Sequence, residues 1–130
     1  MSTLVSIDFS QSDVLDSLLA LDGEGLDGLD FGVIGIDAEG VVRQYNAVES
    51  KLAGLSPERV LGHPLFTVVA PCMNNFMVAH RFEEAAASGA SLDATIDYVL
   101  TLRMRPIKVR LRLLARPGAE RRYVLVSRRP

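Results

Sequence analysis

Apolar and polar residues alternate along the last third of the chain. Every second residue from Ala94 to Met104 is apolar, and Val99 is the one apolar residue in the intervening polar set. The alternation resumes after Pro106 and continues to Leu113, with Lys and Arg at the intervening positions. A last apolar run, YVLVS, follows at 123–127. Period-two alternation is typical of strands with one face on a core, so these segments predict three strands whose other face is largely basic.

The first two-thirds of the chain predicts one hairpin and several short helices. The runs FGVIGID and VVRQY flank Ala-Glu-Gly at 38–40, which is a hairpin signal. Between the predicted helix at 12–22 and the hairpin, the stretch DGEGLDG at 22–28 is typical of a flexible connector. Capping residues and terminating glycines mark the predicted helices, which are 12–22 with Ser12 as N-cap, 46–54 from Asn46 to Gly54, 56–62 capped by Ser56 with Pro57 in the first turn, and about 76–88 closed by Gly89.

This order of elements predicts an α+β domain. Two strands, several short helices, a connecting helix and three further strands suit a five-stranded antiparallel sheet with helices on one face. The chain is 130 residues long, which is enough for one domain with a substantial core. We expect a single domain overall, with an N-terminal cap at 1–28 and a core at 29–130.

Charge is distributed unevenly along the chain. The first 40 residues carry nine acidic side chains and no Lys or Arg, whereas residues 103–130 carry ten of the fourteen basic side chains and the single acid Glu120. A basic surface could bind nucleic acid or an acidic partner. Alternatively, the acidic N-terminal segment folds over the basic face of the sheet. We favour the second interpretation and expect no nucleic-acid binding, because aromatic residues that could stack on bases make up only 6% of the chain.

The sequence also bears on where in the cell the protein is expected to work. No apolar run approaches the roughly 20 residues needed to span a bilayer. The N-terminal sequence MSTLVSIDFSQSD lacks the basic and apolar regions of a signal peptide. The one cysteine, Cys72, can form neither an internal disulfide nor a thiolate metal cluster, and an unpaired thiol fits a reducing compartment. We therefore expect a cytoplasmic protein without membrane contact, and a compact capped sheet predicts a monomer.

Three side chains are candidates for chemistry. Cys72 follows Pro71 in the polar break VAPCMNNF, and Tyr45 and Glu49 are spaced four residues apart at the start of a predicted helix. That spacing predicts a phenol and a carboxyl group side by side on one helix face. Each signal is weak alone, since a free cysteine is often an inert core residue and such a pair is often a solvated helix edge.

Taken together, these residues lie in segments that resemble the photoactive yellow protein family, which comprises small blue-light receptors with a PAS fold. The resemblance runs from Leu26 to Arg129 and is carried by LDGLDFGVIGID, GVVRQYNAVES, VAPC and the turn Met104-Arg105-Pro106. It implies a PAS fold with an N-terminal helical cap on the sheet face opposite the other helices. It also implies 4-hydroxycinnamic acid (p-coumaric acid), bound as a thioester on Cys72. The implied pocket is lined by Ile34, Val48, Ala53, Leu55, Phe66, Val69, Ala70, Tyr98, Leu100 and Met104.

The resemblance further implies a mechanism. Tyr45 and a protonated Glu49 would hold the ring oxygen as a buried phenolate, which needs strong donors in place of water. Light would isomerise the double bond, Glu49 would give its proton to the ring oxygen, and the unpaired carboxylate would drive the N-terminal cap to loosen. Met104 lies where the family has a methionine that speeds thermal return. Such a sensor has no turnover, so we expect a non-enzyme that signals to a downstream protein the sequence does not name.

Four positions depart from the family pattern. Ala53 replaces a threonine that supports the tyrosine hydroxyl, Leu55 replaces an arginine that shields the chromophore, and Leu100 and Tyr123 replace an aromatic residue and a tryptophan. With fewer donors, we expect the ring oxygen to have a higher pKa than in typical members. Two alternatives stay open, namely a PAS-like interaction or small-ligand-binding module without chromophore, and a thiol enzyme that uses Cys72 with His63 or His80 as base.

Overall fold

The computed structural model describes residues 7–101 and 106–128. The longest helix in these ranges has ten residues, and none is long and apolar enough to cross a bilayer. A π-helical turn at Leu65–Val69 and a 3₁₀ turn at Pro71–Met73 precede the last helix. In chain order the helices and strands are α1 Val14–Leu19, α2 Gly23–Asp27, β1 Gly32–Ile36, β2 Val42–Tyr45, α3 Ala47–Ala53, α4 Pro57–Val60, α5 Ala79–Ser88, β3 Leu92–Leu100, β4 Ile107–Ala115 and β5 Arg122–Ser127.

The strands form one antiparallel sheet in the order β2-β1-β5-β4-β3. Ile34 of β1 lies opposite Tyr45 of β2 on one side and Val124 of β5 on the other. Tyr98 of β3 lies opposite Val109 of β4. The predicted five-stranded antiparallel sheet is therefore confirmed. The predicted third strand extends through 102–105, which lies outside the described residues.

Each face of the sheet carries its own apolar core, because alternate residues of each strand point to opposite sides. The face covered by α4 and α5 packs Ile34, Val124 and Val126 against Val60 and Phe82, together with further side chains of both layers. The opposite face packs side chains of the N-terminal segment against the sheet, and the buried members of this second core are Ile7, Val14, Leu18, Leu26, Leu29, Phe31, Val33, Leu114, Tyr123 and Leu125. The predicted cap over the second face is confirmed, and apolar packing contributes to holding it.

Three local predictions need correction. The predicted connector contains helix α2, because the side chain of Asp22 accepts a hydrogen bond from the backbone N–H of Gly25 at 2.8 Å and caps it. Helix α1 has Asp13, not Ser12, at its N-cap, without a side-chain capping bond. Helix α5 begins at Ala79 rather than near 76, because Asn75 Oδ1 accepts from the backbone N–H groups of residues 77 and 78 and holds them in a turn.

Arg112 fastens the N-terminal segment to the sheet. Its Nη1 donates to the carbonyl oxygens of Phe9 at 2.8 Å and Gln11 at 2.7 Å. Its Nε and Nη2 donate to the two carboxylate oxygens of Asp93, both at 2.8 Å. These bonds to Arg112 lower the pKa of Asp93, although partial burial opposes the change. One buried guanidinium thus joins β3, β4 and the cap.

We expect Arg112→Gln to loosen the cap while leaving the sheet folded. Charge-assisted hydrogen bonds contribute about 1.5–3 kcal/mol each, so losing the two to Phe9 and Gln11 should lower the free energy of opening residues 7–19 by roughly 3–6 kcal/mol. Amide hydrogen exchange measures this opening directly. Arg116→Gln is the matched control, because it removes an exposed pair with Asp16 that should contribute little. Equal protection of residues 7–19 in the two variants would contradict the role of Arg112.

Candidate functional site

Asn46 positions Tyr45 and Glu49. Its side-chain oxygen accepts from the backbone N–H groups of Val33 at 2.9 Å and Glu49 at 3.1 Å, and its amide nitrogen donates to the carbonyls of Leu26 and Phe31. This buried amide therefore caps α3 and ties it to β1 and the N-terminal segment. Tyr45 is the last residue of β2, and Glu49 lies in the first turn of α3. The two residues do not share a helix face as predicted; the β2–α3 junction brings them together.

Glu49 is buried, with only 1% of its surface exposed. Its Oε1 accepts from Arg128 Nη1 at 2.8 Å and its Oε2 accepts from Arg128 Nη2 at 3.1 Å. The carboxyl group also occupies the space above Gly32, where a Cβ would lie 2.0 Å from Oε1. A larger residue at position 32 would displace the carboxyl group, so the absence of a side chain there makes room for the ion pair.

Burial controls the protonation of this site. Desolvation raises the pKa of Glu49, and the hydrogen bonds and charge of Arg128 oppose the rise. Burial is also the main cause that raises the pKa of Tyr45. The charge of Glu49 adds to the rise, and the charge of Arg128 opposes it. Tyr45 therefore keeps its proton at neutral pH and is a donor. Among the described residues, none accepts a hydrogen bond from its hydroxyl group, so this donor is available to a ligand.

Cys72 lies in the 3₁₀ turn and is partly buried, with a free thiol. Its carbonyl oxygen accepts from the Tyr98 hydroxyl at 2.5 Å and from Asn75 Nδ2 at 3.2 Å. Asn75 Nδ2 also lies 2.5 Å from the Tyr98 oxygen. Because Tyr98 belongs to β3, these bonds fix the cysteine turn to the sheet, which gives the sulfur a defined position.

An open cavity of about 890 Å³ borders residues that contact each of these groups, but Cys72, Tyr45 and Glu49 do not line it. Its lining includes Asn75 and Tyr98, which hold the Cys72 turn, and Arg128, which holds Glu49. Such a volume is within the range of small-ligand sites. The remaining lining residues are Met77, Asp97, Val99, Lys108, Val109 and Arg110. Tyr98 is the one predicted lining residue that borders it among those described.

The other predicted lining residues lie mostly in the core beneath the helices. Ile34, Ala70 and Leu100 are buried members of that core, and Leu55, Phe66 and Val69 are partly buried against it. Ala53 is buried and Val48 is half-buried, and both lie in α3. Neither is a member of this core as the described residues define it. Met104 lies outside the described residues. The structure therefore gathers Tyr45, Cys72 and seven of the ten lining residues in or against one core.

Arg128 and Asn75 were not among the predicted site residues. Arg128 was detectable, because it follows Val124 and Val126 at period two, and both valines face the core beneath the helices. A cation at the next position on that face would need a buried acid as partner. Asn75 gave no such signal, since its contact with Tyr98 joins residues 23 positions apart.

The candidate bases for a thiol enzyme have other roles. His80 Nε2 lies 2.7 Å from Glu84 Oε1 on its own helix, and its ring meets Phe76 edge to face. His63 is exposed. In residues 7–101 and 106–128, no group of three or more His, Cys, Asp or Glu side chains could hold a metal ion. His80 is therefore paired on its own helix, and His63 lies on the surface.

Comparisons with known proteins agree with this architecture. Residues 26–129 match the PAS fold family. The chain is 33% identical to the photoactive yellow protein of Rhodothalassium salexigens over 94% of this chain and 97% of that protein. It is 36% identical to that of Halochromatium salexigens over 82% and 85%.

A solved structure supports the same relationship. It is the photoactive yellow protein domain of the sensor histidine kinase Ppr from Rhodospirillum centenum, which superposes with a TM-score of 0.77 at 36% identity. The match covers 85% of this chain and 96% of that domain. The chain therefore belongs to the photoactive yellow protein family of PAS-fold photoreceptors.

Proposed function

We propose that this chain is a blue-light photoreceptor that binds 4-hydroxycinnamic acid as a thioester on Cys72. The observation that carries the proposal is the pairing of a free, partly buried thiol with a buried phenol–carboxyl–guanidinium group, since Tyr45 lies in the core beneath the helices and Cys72 packs against the same core. The thiol suits an acyl group, and the polar group suits an anionic ring oxygen. A non-covalent interaction module would need neither feature.

The unsatisfied donors of the site fit such a ligand. Arg128 Nε is buried and has no hydrogen-bond acceptor among the described residues. The Tyr45 hydroxyl also donates to none of the described residues, although its oxygen is not completely buried. A buried donor without an acceptor is costly, and an anionic oxygen would relieve that cost. At the other end, acylation of Cys72 Sγ by an activated acyl donor would form the S–C bond, while the leaving group departs with the thiol proton.

The chain's own residues would convert light absorption into a signal. The bound chromophore supplies absorption of blue light and trans–cis isomerisation. Glu49, protonated in the dark, would give its proton to the ring oxygen. The resulting carboxylate is costly unless it is paired or reached by water. Its strain would pass through Asn46, which bonds to the Glu49 N–H and to the carbonyl of Leu26 in the cap. The signal would be loosening of the cap, read by a downstream protein.

An absorption spectrum tests this function. The protein is incubated with the anhydride of 4-hydroxycinnamic acid, and spectra are recorded in darkness and under blue light. We expect a visible band that bleaches in light and recovers in the dark, with a matching mass increase on the intact chain. If an adduct forms without reversible bleaching, the sensor proposal fails. If no adduct forms, a PAS-like interaction module replaces it.

A further inference from the structure

The contact between Glu49 and Arg128 shows how charge is balanced before any ligand binds. Both oxygens of Glu49 accept a guanidinium N–H. Two parallel N–H bonds from one guanidinium to both oxygens are the arrangement typical of an ionised carboxylate, so this contact favours the ionised form, although burial opposes it. The contact therefore indicates a carboxylate in the chromophore-free chain, where the dark receptor is expected to carry a neutral acid.

We propose that Arg128 is the counter-ion of the chromophore's ring oxygen, and that Glu49 receives the phenolic proton when the ring enters. The inference rests on the proposed function. The phenol O–H bond breaks, its proton joins a Glu49 oxygen, and the electron pair stays on the ring oxygen. Arg128 then faces a phenolate instead of a carboxylate. The site is neutral before and after this step, and no proton is exchanged with solvent.

The groups around the site support this transfer. Tyr45 from β2 stays protonated and donates, Glu49 from α3 is the proton acceptor, and Arg128 after β5 supplies the fixed positive charge. From α2, Asp27 is exposed and accepts from the backbone N–H of Ala47 at 2.7 Å. Arg128 Nε also has an unused proton buried within the chain. One guanidinium can thus serve the ring oxygen without leaving a second anion unpaired, because Glu49 becomes neutral.

The first test uses chromophore-free protein and infrared spectroscopy. A carboxylic acid carbonyl band reports a protonated Glu49, and its loss in Glu49→Gln assigns it. We expect no such band in the wild type at pH 7 and a clear band in Arg128→Gln, because the buried carboxylate loses its cation. A protonated Glu49 in the wild type, or no difference between the two proteins, would overturn the inference.

The second test titrates the ring in the loaded protein. Removing a nearby cation disfavours the phenolate, so we expect Arg128→Gln to raise the ring pKa by about 1–3 units and Arg128→Lys to change it less. The 4-methoxycinnamoyl adduct, which cannot ionise, should show no corresponding change. If Arg128→Gln does not fold, Glu49→Gln is compared with Glu49→Gln/Arg128→Gln, and the same rise is expected.

The outcomes separate this inference from the proposed function. An adduct that bleaches reversibly but whose ring pKa ignores Arg128 leaves the photoreceptor intact and overturns the counter-ion role. Absence of any Cys72-dependent adduct overturns both.

Discussion

We expect Cys72→Ala to abolish the coloured adduct completely. Cys72 is the chain's one thiol, so every thioester must form there. Alanine offers no nucleophile, and the nearby hydroxyl of Tyr98 is already engaged with the Cys72 carbonyl. We expect no mass increase and no visible band after incubation with the activated acid, against full labelling of the wild type. Intact-protein mass spectrometry measures the loss directly.

The same variant should keep its fold. The bonds from Tyr98 and Asn75 reach the backbone carbonyl of residue 72, not its side chain, so the turn remains anchored. Loss of a small, partly buried thiol should change the free energy of unfolding by about 1 kcal/mol at most. Cys72→Ser is the matched control, because it preserves size and polarity. An adduct on Cys72→Ala would place attachment at another side chain and contradict the proposed tether.

Local patterns along the chain were sufficient to predict most of the fold. Period-two alternation predicted β3 and β4, and an apolar run predicted β5. The cap–glycine pair of Asn46 and Gly54 predicted α3 with its actual boundaries. The acidic N-terminal segment and basic strands predicted which face the cap covers. The short α2 escaped prediction, because its two glycines disfavour a helix and the capping bond of Asp22 decides in favour of one.

Long-range pairings were not predictable in the same way. Arg112 lies 103 residues from Phe9, whose carbonyl it binds, and Arg128 lies 79 residues from Glu49. Alternation could place each arginine on a face of the sheet, but not select its acceptor. For Glu49, the chain resembled a family in which the acid is neutral, and only the structure revealed its cation. Under the counter-ion proposal, the expectation that Glu49 is neutral in the dark concerns the loaded state alone.

Asn46 connects the two parts of the molecule that the proposed mechanism couples. Its side chain bonds to the first turn of α3, to β1 and to the carbonyls of Leu26 and Phe31. All of these bonds are buried and depend on one amide orientation. A shift of Glu49 that moved α3 by a fraction of an ångström would therefore weaken bonds to the cap. The site and the cap share a physical link, in addition to lying near each other in sequence.

Glu49→Gln has the largest expected effect on the stability of the chromophore-free chain. It leaves the guanidinium of Arg128, whose side chain is only 14% exposed, without its anion. Removing one partner of a buried pair costs about 3–5 kcal/mol, and we expect the lower end because glutamine still offers one acceptor. Urea unfolding of the wild type and variant measures the loss.

The pH dependence of stability should change as well in Glu49→Gln. Burial raises the pKa of Glu49 above its unfolded value, so wild-type stability falls as pH rises through the interval between the two values, and the variant lacks that decline.

The double variant Glu49→Gln/Arg128→Gln separates the pair from its parts. Replacing both charges with amides leaves no unpaired ion, and exchanging a buried ion pair for neutral groups is often close to neutral in free energy. We expect the double variant to unfold within about 1 kcal/mol of the wild type, although Glu49→Gln alone loses about 3 kcal/mol. The double-mutant cycle then gives a large coupling energy. Additive losses would show that Arg128 and Glu49 act independently, and the site would lack the charge balance from which the counter-ion role follows.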